Sequence, residues 1–446
     1  MAAEPSVLFV NQHYAPDVAS TGQHLADLAE HLAGDGWRVS VLCGRGDYRG
    51  GELPAPDRES RNGVHVRRVG VPGYGRGRLS GRAADYAAFH LRAGLHTVVG
   101  RDKPDLVVSL TTPSLLPATV RAACGLRRVP YAVWAMDLHP DVEDRLGLLP
   151  GGWAGAAPLH AASRLGYRGA RFVVALGPHM AREVRRKGVP EERIHRLPVW
   201  NRGAVLRPLG THGNGLRRRL GYGDSDFVVL YSGNAGYAHR FDAVLQAADR
   251  LRSHQDVHFL FVGGGPRRPG IEREAARRRL PRFRYLDYVP RDELPRSLSV
   301  GDVHLLTLRA DMAGLVAPGK LYGSMAAGRP VLMVGPRESD PGDVIQEERV
   351  GVVVDPADEP GDPAARLAAE ILALRDDPGR RRALGDRARR VFEEKYDRDI
   401  VCARWEALLR SELGRAAGVE EADCHGTMHP LGSGRSSKIS SLAAEE

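Results

Sequence analysis

The feature that most constrains the fold is an alternation of short apolar runs with helix-periodic segments, which begins twice along the 446 residues. The first series opens with VLFV at 7–10 and the second with FVVLY at 227–231, each followed by a glycine-containing loop and an amphipathic segment. Apolar runs without polar interruptions are typical of parallel strands that helices cover on both faces. The chain is also too long for one ordinary hydrophobic core. We therefore predict an α/β protein with two Rossmann-like domains.

The domain boundaries are predicted from the point where this alternation lapses. Residues 206–225 are rich in glycine, arginine and polar residues, and we interpret them as a linker between domains at 1–205 and 226–391. A final amphipathic helix is predicted at 392–413, where it packs back toward the N-terminal domain. Residues 414–446 are small and polar, so this segment is predicted to be disordered.

Composition excludes several classes of protein. Apolar residues make up 42% and charged residues 27% of the chain, as in ordinary globular domains. The four cysteines are isolated from one another, so neither a disulfide framework nor a metal site is predicted. No apolar run reaches the roughly 18 residues of a membrane span, and the N-terminal residues lack a secretion signal. We expect a cytoplasmic protein whose membrane contact, where it occurs, is peripheral at the inner face of the cell membrane.

The formal net charge of +9 indicates an anionic partner. The net charge is equally compatible with a nucleotide diphosphate, an acidic lipid surface and a nucleic acid as the partner. A basic, partly aromatic stretch from Tyr74 to Arg92 includes Arg76, Arg78 and Arg82 and leads into a predicted helix. It could lie on anionic lipid or form an ordinary solvated face. No recognised nucleic-acid-binding module accompanies it, so a nucleic-acid partner is not predicted.

The loop after the first apolar run is a candidate phosphate site. Gly22 follows Ser20 and Thr21 at the start of the first predicted helix, where backbone amides and the helix dipole favour an anion. The alternative is that Ser20 or Thr21 caps the helix and that Gly22 relieves crowding. A full GxGxxG motif is absent there, which argues against a dinucleotide-dependent dehydrogenase.

The loop after FVVLY is a second candidate of the same kind. Gly233, Asn234 and Gly236 let the backbone approach an oxyanion closely. Arg240 could add charge-assisted hydrogen bonds, and Gly265 closes a further apolar run in the same half. The alternative is a tight turn between strand and helix beside a solvated arginine.

The segment 314–330 carries the most specific pattern. It contains Pro318, Lys320 and Leu321 in a loop before a small-residue helix, and it ends in Ala-Gly-Arg-Pro. With a preceding strand that opens Asp-Val-His, this order resembles the donor-binding region of family 4 glycosyltransferases of the GT-B fold. It is similar in particular to the bacterial subgroup that transfers sugars to carrier lipids or polysaccharide precursors. The opening VNQHYAPDVASTGQHL, VWAMDLHPD and RLPVWN extend the resemblance over residues 6–412.

The resemblance implies an enzyme with two facing Rossmann-like domains and a deep cleft between them. It implies transfer from a nucleotide sugar, with UDP as the expected nucleotide, and retention of the anomeric configuration without a metal or other cofactor. A lipid-linked acceptor or a polysaccharide precursor is the implied partner. The donor-binding candidates are Gly22, Gly233, Asn234, Gly236, Arg240, Gly265, Pro318, Lys320 and Leu321.

The chain departs from the family at its hallmark, a pair of glutamates eight positions apart beside the donor sugar and ribose. Matching on Ala-Gly-Arg-Pro puts Leu315 and Gly323 at these positions. Lys320 is retained, and a cation there could neutralise the leaving diphosphate. The alternative, a surface lysine at a helix start, is disfavoured by the helix dipole.

The candidates for acceptor chemistry follow the predicted strand YAVWAM. Asp137 and His139 lie at the carboxyl edge of a parallel sheet, where ligands bind in open α/β folds, and we predict them as catalytic residues. The resemblance places a histidine near this edge, but Met136 stands at the matching position. The alternative is that these are polar loop residues or a helix cap. Asp224 and Asp226 imitate a metal-binding DxD motif but precede a strand, so no metal site is predicted.

Three other functions stay open on the sequence. A natural-product glycosyltransferase would use a soluble aglycone as acceptor. A nucleotide-sugar epimerase would share the fold and the donor, but we would expect paired carboxylates and more histidines across the cleft. An inactive sugar-nucleotide-binding protein of the same fold would agree with the two missing glutamates.

Overall fold

The structure is a computed structural model, and it describes residues 4–48, 51, 53–70, 79–100, 102–149, 152–210, 214–358 and 361–425. Two mainly parallel sheets are present within them, one in each half of the chain. Most strand residues are buried on both faces, as expected for sheets sandwiched between helices. The predicted α/β class with two Rossmann-like domains is confirmed.

The first sheet contains eight strands. They are β1 Ser6–Val10, β2 Arg38–Gly44, β3 Arg58–Arg61, β4 Val64–Val69, β5 Leu106–Ser109, β6 Tyr131–Trp134, β7 Val173–Ala175 and β8 Ile194–Arg196. The helices of this half are α1 Ser20–Gly34, α2 Leu79–Val99, α3 Leu116–Arg127, α4 Asp141–Arg145, α5 Gly152–Arg168 and α6 Pro178–Arg186. The strand order is β3-β4-β2-β1-β5-β6-β7-β8, and only the pair β3 and β4 is antiparallel. The order reverses beside β1, which places the ligand crevice of such a sheet at the carboxyl end of β1.

The second sheet contains six parallel strands. They are β9 Phe227–Ser232, β10 Val257–Val262, β11 Phe283–Leu286, β12 Val303–Thr307, β13 Val331–Val334 and β14 Gly351–Val354. The helices from here onward are α7 Gly215–Arg219, α8 Asp242–Arg250, α9 Arg268–Arg277, α10 Leu294–Leu298, α11 Lys320–Ala326, α12 Asp340–Glu347, α13 Pro363–Asp376, α14 Pro378–Lys395 and α15 Arg398–His425. The order is β11-β10-β9-β12-β13-β14, so this sheet reverses beside β9.

An aromatic cluster fixes the end of β9. The ring of Tyr231 stacks on Phe261 of β10 with centroids 5.1 Å apart, and it meets Phe241 edge-on at the same distance. All three side chains are buried in the core of the second sheet. Because Tyr231 is the last residue but one of β9, this packing holds its hydroxyl at the carboxyl edge, where the following loop begins.

The predicted linker contains a short helix in its second half. Helix α7 is capped by Asn214, whose side-chain oxygen accepts hydrogen bonds from the backbone amides of Leu216 and Arg217. The Arg217 guanidinium is buried and pairs with Asp302 at 3.0 Å, just before β12. Part of the predicted linker therefore packs against the second sheet, while the predicted domain boundaries stay a prediction.

The end of the chain differs from the single helix predicted at 392–413. Helix α14 ends at Lys395 and α15 begins at Arg398. Asn201 separates them, because its carbonyl accepts from the Arg398 amide at 2.9 Å and its backbone forms a bridge with Asp397. A distant segment of chain thus interrupts the helical hydrogen bonds, which a local periodicity cannot predict.

The segment predicted to be disordered is in part helical. Helix α15 continues to His425, so residues 414–425 belong to it, and residues 426–446 lie outside the described part of the chain. Residues up to Trp405 form one compact unit, and α15 from Glu406 onward belongs to a second. Within the described residues, no helix is both long and apolar enough to cross a membrane.

Candidate functional site

Two glycine loops lie against each other at the carboxyl edge of the second sheet. A Cβ atom added to Gly263 would lie 2.2 Å from the carbonyl oxygen of Gly233, and one added to Gly265 would lie 2.2 Å from Asn234 Oδ1. Gly263 and Gly265 also have φ angles of +137° and +116°, which L residues rarely adopt. The amide of Ala235 donates to the carbonyl of Gly264 at 2.7 Å. The two loops therefore form one closely packed backbone surface that larger residues would disrupt.

Lys320 brings a cation to this surface from the start of α11. Its Nζ lies 2.6 Å from Tyr231 Oη, 3.1 Å from His239 Nε2 and 3.3 Å from the carbonyl oxygen of Asn234. These three neutral acceptors match the three N–H bonds of an ammonium group. In the part of the chain that the structure describes, no carboxylate pairs with it. We call Lys320, Tyr231, His239 and the loop at 233–236 the lysine cradle.

The cradle holds the ammonium in place without neutralising it. Burial lowers the pKa of Lys320 to about 7, because desolvation penalises the charged form. An uncompensated buried charge is costly, and an anion beside Nζ would offset that cost. The side chain is only partly buried, and a Cβ added to Gly233 would lie 3.9 Å from Nζ. The arrangement is therefore suited to binding an anion that approaches the Gly233 backbone.

His239 is fixed as a neutral acceptor. Its Nδ1 lies 2.5 Å from the carbonyl oxygen of Thr307, which can only accept, so Nδ1 carries the proton and Nε2 faces Lys320 as the acceptor. Burial, together with the positive charge of Lys320, lowers the pKa of His239 to about 3. The Tyr231 hydroxyl donates to the Asn234 carbonyl at 2.9 Å, which leaves a lone pair for Lys320. Sequence reasoning missed Tyr231, because its apolar run predicted only a strand.

The other donor-binding candidates occupy different environments. Arg240 is exposed, and its Nη2 pairs with Asp242 Oδ2 at 3.1 Å. Leu321 is buried, while Pro318 is partly buried and its carbonyl accepts from the Leu321 amide at 3.3 Å. A Cβ added to Gly236 would meet no atom closer than 3.4 Å. Lys320, Gly233, Asn234 and Gly265 are thus brought together, while Arg240 is directed to a neighbouring carboxylate.

Gly22 lies in the first sheet's half of the chain and has a close neighbour. A Cβ added there would lie 3.0 Å from the carbonyl carbon of His13 and 3.1 Å from the Tyr14 nitrogen. Helix α1 therefore packs directly on the loop after β1. This close approach agrees with the alternative in which Gly22 relieves crowding.

That same loop contains a buried pair that sequence reasoning missed. His13 Nδ1 lies 2.6 Å from Asp17 Oδ2, and Asp17 Oδ1 accepts from the Tyr48 amide at 3.0 Å. Burial raises the pKa of Asp17, but the hydrogen bond and charge of His13 and the hydrogen bonds from the Tyr48 and Ala19 amides together lower it by more, so it stays below its usual value. A histidine and an aspartate four residues apart in a strand-to-helix loop are the signal that could have identified the pair.

His139, at the carboxyl edge of the first sheet, is coupled to Glu143. Its Nδ1 lies 2.9 Å from Glu143 Oε2, and Glu143 Oε1 accepts from the Ser114 hydroxyl at 2.9 Å. Burial lowers the pKa of His139, but the hydrogen bond and charge of Glu143, with the charges of Asp137 and Asp141, together raise it by more, so it lies above its ordinary value. The pair can hold or release a proton near neutral pH. Glu143 was not among the candidate residues, although its position four residues after His139 is a signal that the sequence contains.

Asp137 stands beside this pair and touches the second half of the chain. Burial raises the pKa of Asp137, helped by the charge of Glu143 and opposed by His139. Its backbone forms a bridge with Val316, and the next amide, that of Leu138, donates to the Leu315 carbonyl at 2.9 Å. The loop that leads to Lys320 is therefore hydrogen-bonded to the edge that carries the predicted catalytic residues.

The two positions where the family has glutamates are enclosed by neighbouring side chains in this chain. Leu315 is 3% exposed. A Cβ added to Gly323 would lie 3.3 Å from Asn201 Nδ2, so a longer side chain would require Asn201 to move. Leu315 and Gly323, the residues that depart from the family pattern, thus both lie in packed surroundings next to α11 or within it.

A further helix end at the edge of the first sheet is filled by the protein itself. The first-turn amides of α6, those of His179 and Met180, donate to the Asp340 carboxylate at 2.8 and 3.3 Å. His179 Nε2 also lies 2.9 Å from Asp343 Oδ2. A Cβ on Gly177 would lie 2.3 Å from Asp340 Oδ1. This contact joins α6 to α12, and the sequence gives no sign of it because about 160 residues separate the partners.

The two halves of the chain match two described families. Residues 21–200 match the glycosyl transferase 4-like domain, and residues 226–377 match the glycosyl transferases group 1. WcaI of Escherichia coli (strain K12), whose name assigns it to colanic acid biosynthesis as a glycosyl transferase, is 26% identical over 331 residues. These residues cover 72% of this chain and 81% of WcaI.

Two solved structures share the fold of this chain. Sucrose-phosphate synthase from Thermosynechococcus elongatus gives a TM-score of 0.72 at 17% identity, with 92% of this chain and 100% of that chain covered. HepE of Anabaena, in complex with UDP-glucose, gives a TM-score of 0.67 at 14% identity, with 91% and 99% covered. The predicted GT-B fold is thereby confirmed. Together with the family matches on both halves, it places this chain among the family 4 glycosyltransferases, as an enzyme that uses a nucleotide sugar.

Proposed function

We propose that this enzyme transfers a sugar from a UDP-sugar to a lipid-linked acceptor or polysaccharide precursor, with retention at the anomeric carbon and without a metal ion. The observation that carries the proposal is the lysine cradle, in which a partly buried ammonium meets three neutral acceptors and no carboxylate of the described residues. UDP is supported by the fold relative that binds UDP-glucose. The acceptor class is supported by the relative named for colanic acid biosynthesis.

The donor diphosphate would lie against Lys320 Nζ and the backbone of the two glycine loops. As the bond between the anomeric carbon and the phosphate oxygen breaks, negative charge grows on the departing UDP. A fixed ammonium stabilises that charge more in the transition state than in the bound donor, which lowers the barrier. Because a nearby phosphate favours the charged form, donor binding would raise the pKa of Lys320 above about 7.

The acceptor would approach from the edge that carries Asp137 and His139. The acceptor oxygen forms a bond to the anomeric carbon on the face from which UDP departs, and its proton passes to a phosphate oxygen of the leaving group. This front-face displacement needs no protein nucleophile. Asp137 and the His139 pair would orient the acceptor hydroxyl, and their contact with the loop at 315–316 keeps them beside the donor.

The ribose contact that the missing glutamate would make must come from another group. Leu315 is buried and Gly323 lies close to Asn201, so neither position supplies a carboxylate. This observation favours a second candidate, an inactive protein that binds the sugar nucleotide and does not transfer the sugar. The two candidates agree on donor binding and differ only in the product.

A donor and acceptor panel read by mass spectrometry tests the proposal. Purified enzyme is incubated with UDP-, GDP- and ADP-sugars against polyprenyl-phosphate-linked and soluble acceptors, with and without EDTA. We expect product from a UDP-sugar with a lipid-linked acceptor, unchanged by EDTA, with the anomeric configuration of the donor by NMR. Epimer formed without acceptor, an EDTA-sensitive reaction or an inverted product would contradict the proposal. Donor binding with no product from any acceptor would favour the inactive candidate.

A further inference from the structure

The chain after β8 lies along one side of helix α11. A Cβ added to Gly319 would lie 3.6 Å from Val199 Cγ2, and one added to Gly323 would lie 3.3 Å from Asn201 Nδ2. Gly319 and Gly323 are four residues apart, so they share one side of the helical turn. Because glycine has no side chain, Val199 and Asn201 come close to the α11 backbone on that side.

Trp200, between these two residues, anchors the segment in the core of the first half. It is fully buried, its ring stacks on that of Trp134 with centroids 5.7 Å apart, and its Nε1 donates to Asp27 Oδ2 at 3.1 Å. Side chains that alternate in this way between two surroundings are typical of an extended chain. The Asn201 carbonyl also accepts from the Arg398 amide at 2.9 Å. The backbone that presents the Asn201 side chain to α11 is therefore fixed on both sides.

Helix α1 brings a neutral imidazole to the same side of α11. His24 Nε2 lies 4.0 Å from the position of a Cβ on Gly319, and its ring stands nearly perpendicular to that of Trp200 with centroids 5.1 Å apart. Burial lowers the pKa of His24 to about 4, against the negative charge of Asp27 and together with the positive charge of Arg291. The imidazole is therefore neutral near pH 7, with one nitrogen that donates and one that accepts.

The side-chain polar atoms of His24 and Asn201 lack hydrogen-bond partners. Among the residues that the structure describes, neither ring nitrogen of His24 and neither side-chain polar atom of Asn201 takes part in a hydrogen bond. The Nδ1 atom of His24 is also buried. A buried polar atom without a partner is costly, so a ligand that offers hydrogen bonds is favoured here. Because both side chains are neutral and can donate and accept, hydroxyl groups are the matching ligand chemistry.

The position of these side chains relative to Lys320 indicates which hydroxyl groups they meet. The loop before α11 reaches the acceptor edge at Val316, which forms a bridge with Asp137 and precedes Lys320 in the chain. Gly323 follows Lys320, about 4–5 Å further along the helix axis at roughly 1.5 Å per residue. With the diphosphate at Lys320, the transferred sugar would lie on the side of Val316 and the ribose on the side of Gly323.

We propose that Asn201 and His24 bind the ribose hydroxyl groups of the nucleotide sugar. They do so as neutral hydrogen-bonding partners, beside a helix where neither Leu315 nor Gly323 supplies a carboxylate. This assignment rests on the proposed function, because the diphosphate must lie at Lys320 for the ribose to reach this side of α11. It also gives Gly323 a role, since a long side chain there would displace the Asn201 amide.

Calorimetric titration of the full chain with UDP, 2′-deoxy-UDP and 3′-deoxy-UDP tests the ribose contact without turnover. We expect the wild type to bind UDP about threefold to tenfold more tightly than each deoxy nucleotide, the effect of losing one hydrogen bond between neutral groups. Asn201→Ala and His24→Phe should each remove the preference over one deoxy nucleotide, and the phenylalanine keeps a ring against Trp200. A role in folding alone would weaken the binding of all three nucleotides equally.

Two control variants separate the ribose contact from a change in stability. Asn214→Ala removes the cap of α7, so it should lower the melting temperature while the preference for UDP stays as in the wild type. His65→Phe, at an exposed histidine of β4, should leave the preference unchanged as well. Thermal unfolding of every variant shows whether it is folded at the temperature of the titration.

The possible results distinguish a wrong ribose contact from a wrong function. Equal binding of all three nucleotides by the wild type, or a preference that survives in both Asn201→Ala and His24→Phe, would overturn the ribose contact. Weaker UDP-glucose binding in Asn201→Ala with unchanged UDP binding would assign these side chains to the transferred sugar and also overturn it. A wild type that shows the preference but forms no product would contradict only the proposed transfer. A wild type that binds no UDP would contradict the donor site and the ribose contact together.

Discussion

The carboxyl edges of the two sheets have opposite chemistry. The edge of the first sheet gathers acids and a histidine, with Asp137 beside the pair of His139 and Glu143. The edge of the second sheet gathers glycine loops and Lys320, whose contacts are all neutral. Acids and histidine suit a hydroxyl group that loses a proton, and an unpaired ammonium suits a diphosphate that gains charge. The difference indicates which substrate each half would hold.

The start of α6 and the lysine cradle also differ in whether the protein itself supplies the anion. The amides at the start of α6 could also hold an anion, but the Asp340 carboxylate already occupies them. That contact stabilises the junction of α6 and α12, whereas no carboxylate of the described residues compensates the cation of the lysine cradle. An anion-binding group becomes a candidate ligand site only when the protein itself does not fill it.

The largest effect is expected from Lys320→Met. If the cradle stabilises the leaving diphosphate, kcat/KM should fall about 100- to 1,000-fold, the loss typical of removing one electrostatic stabiliser. Lys395→Met, at a surface lysine paired with Glu348, is the matched control and should leave kcat/KM unchanged. Steady-state kinetics with the best donor measures both. A loss smaller than about threefold would show that Lys320 does not stabilise the leaving diphosphate. The proposed difference in function between the two sheet edges would then be wrong.

The second expected effect concerns the backbone of the glycine loops. In Gly265→Ala the new Cβ would overlap Asn234 Oδ1, so donor binding should weaken and unfolding should cost about 1–3 kcal/mol less. Gly270→Ala is the matched control, because a Cβ at Gly270 meets no atom within 4 Å. Thermal unfolding and calorimetric titration with UDP separate the two. Equal behaviour of the two variants would show that the close approach of the loops is not required.

A smaller effect is expected from Glu143→Gln at the acidic edge. Without the Glu143 carboxylate the pKa of His139 should fall, since only the charges of Asp137 and Asp141 then oppose the effect of burial, and activity should drop about tenfold with its acidic limb moved to lower pH. Because the folded pKa is raised, the pair contributes stability that is complete below the unfolded value of about 6.5 and is lost as pH rises through the folded value. NMR titration of His139 measures the shift, with Glu393→Gln on α14 as control. An unchanged His139 pKa would contradict the coupling.

The smallest effect is expected from Arg240→Ala. Its guanidinium is exposed and paired with Asp242, and exposed pairs contribute about 0–1 kcal/mol, so the donor Kd should change less than about threefold. Arg250→Ala, which breaks the comparable exposed pair with Asp362, is the control. Calorimetry with UDP measures both. A weakening of more than about tenfold in Arg240→Ala alone would place this residue at the diphosphate and show that the cradle is incomplete without it.

Most of the fold followed from local patterns. The runs at 7–10 and 227–231 predicted β1 and β9, because an uninterrupted apolar run is a property of the segment itself. The glycine loops could be identified because they directly follow such runs, and Lys320 because segment 314–330 resembles the family's donor-binding region. Where a distant segment intervenes, the local pattern was insufficient, as at Asn201, which separates α14 from α15.

The sequence by itself determined the two α/β halves, the glycine loops and the presence of a lysine in the donor segment. Only the tertiary structure decided what that lysine contacts. Tyr231 and His239 lie 89 and 81 positions from Lys320 and reach it because parallel strands bring their carboxyl ends to one edge. The tertiary structure also shows that Arg240 pairs with Asp242 and that the Asp340 carboxylate accepts hydrogen bonds at the start of α6. Charge compensation depends on distances of a few ångströms between remote residues, and no local pattern contains those distances.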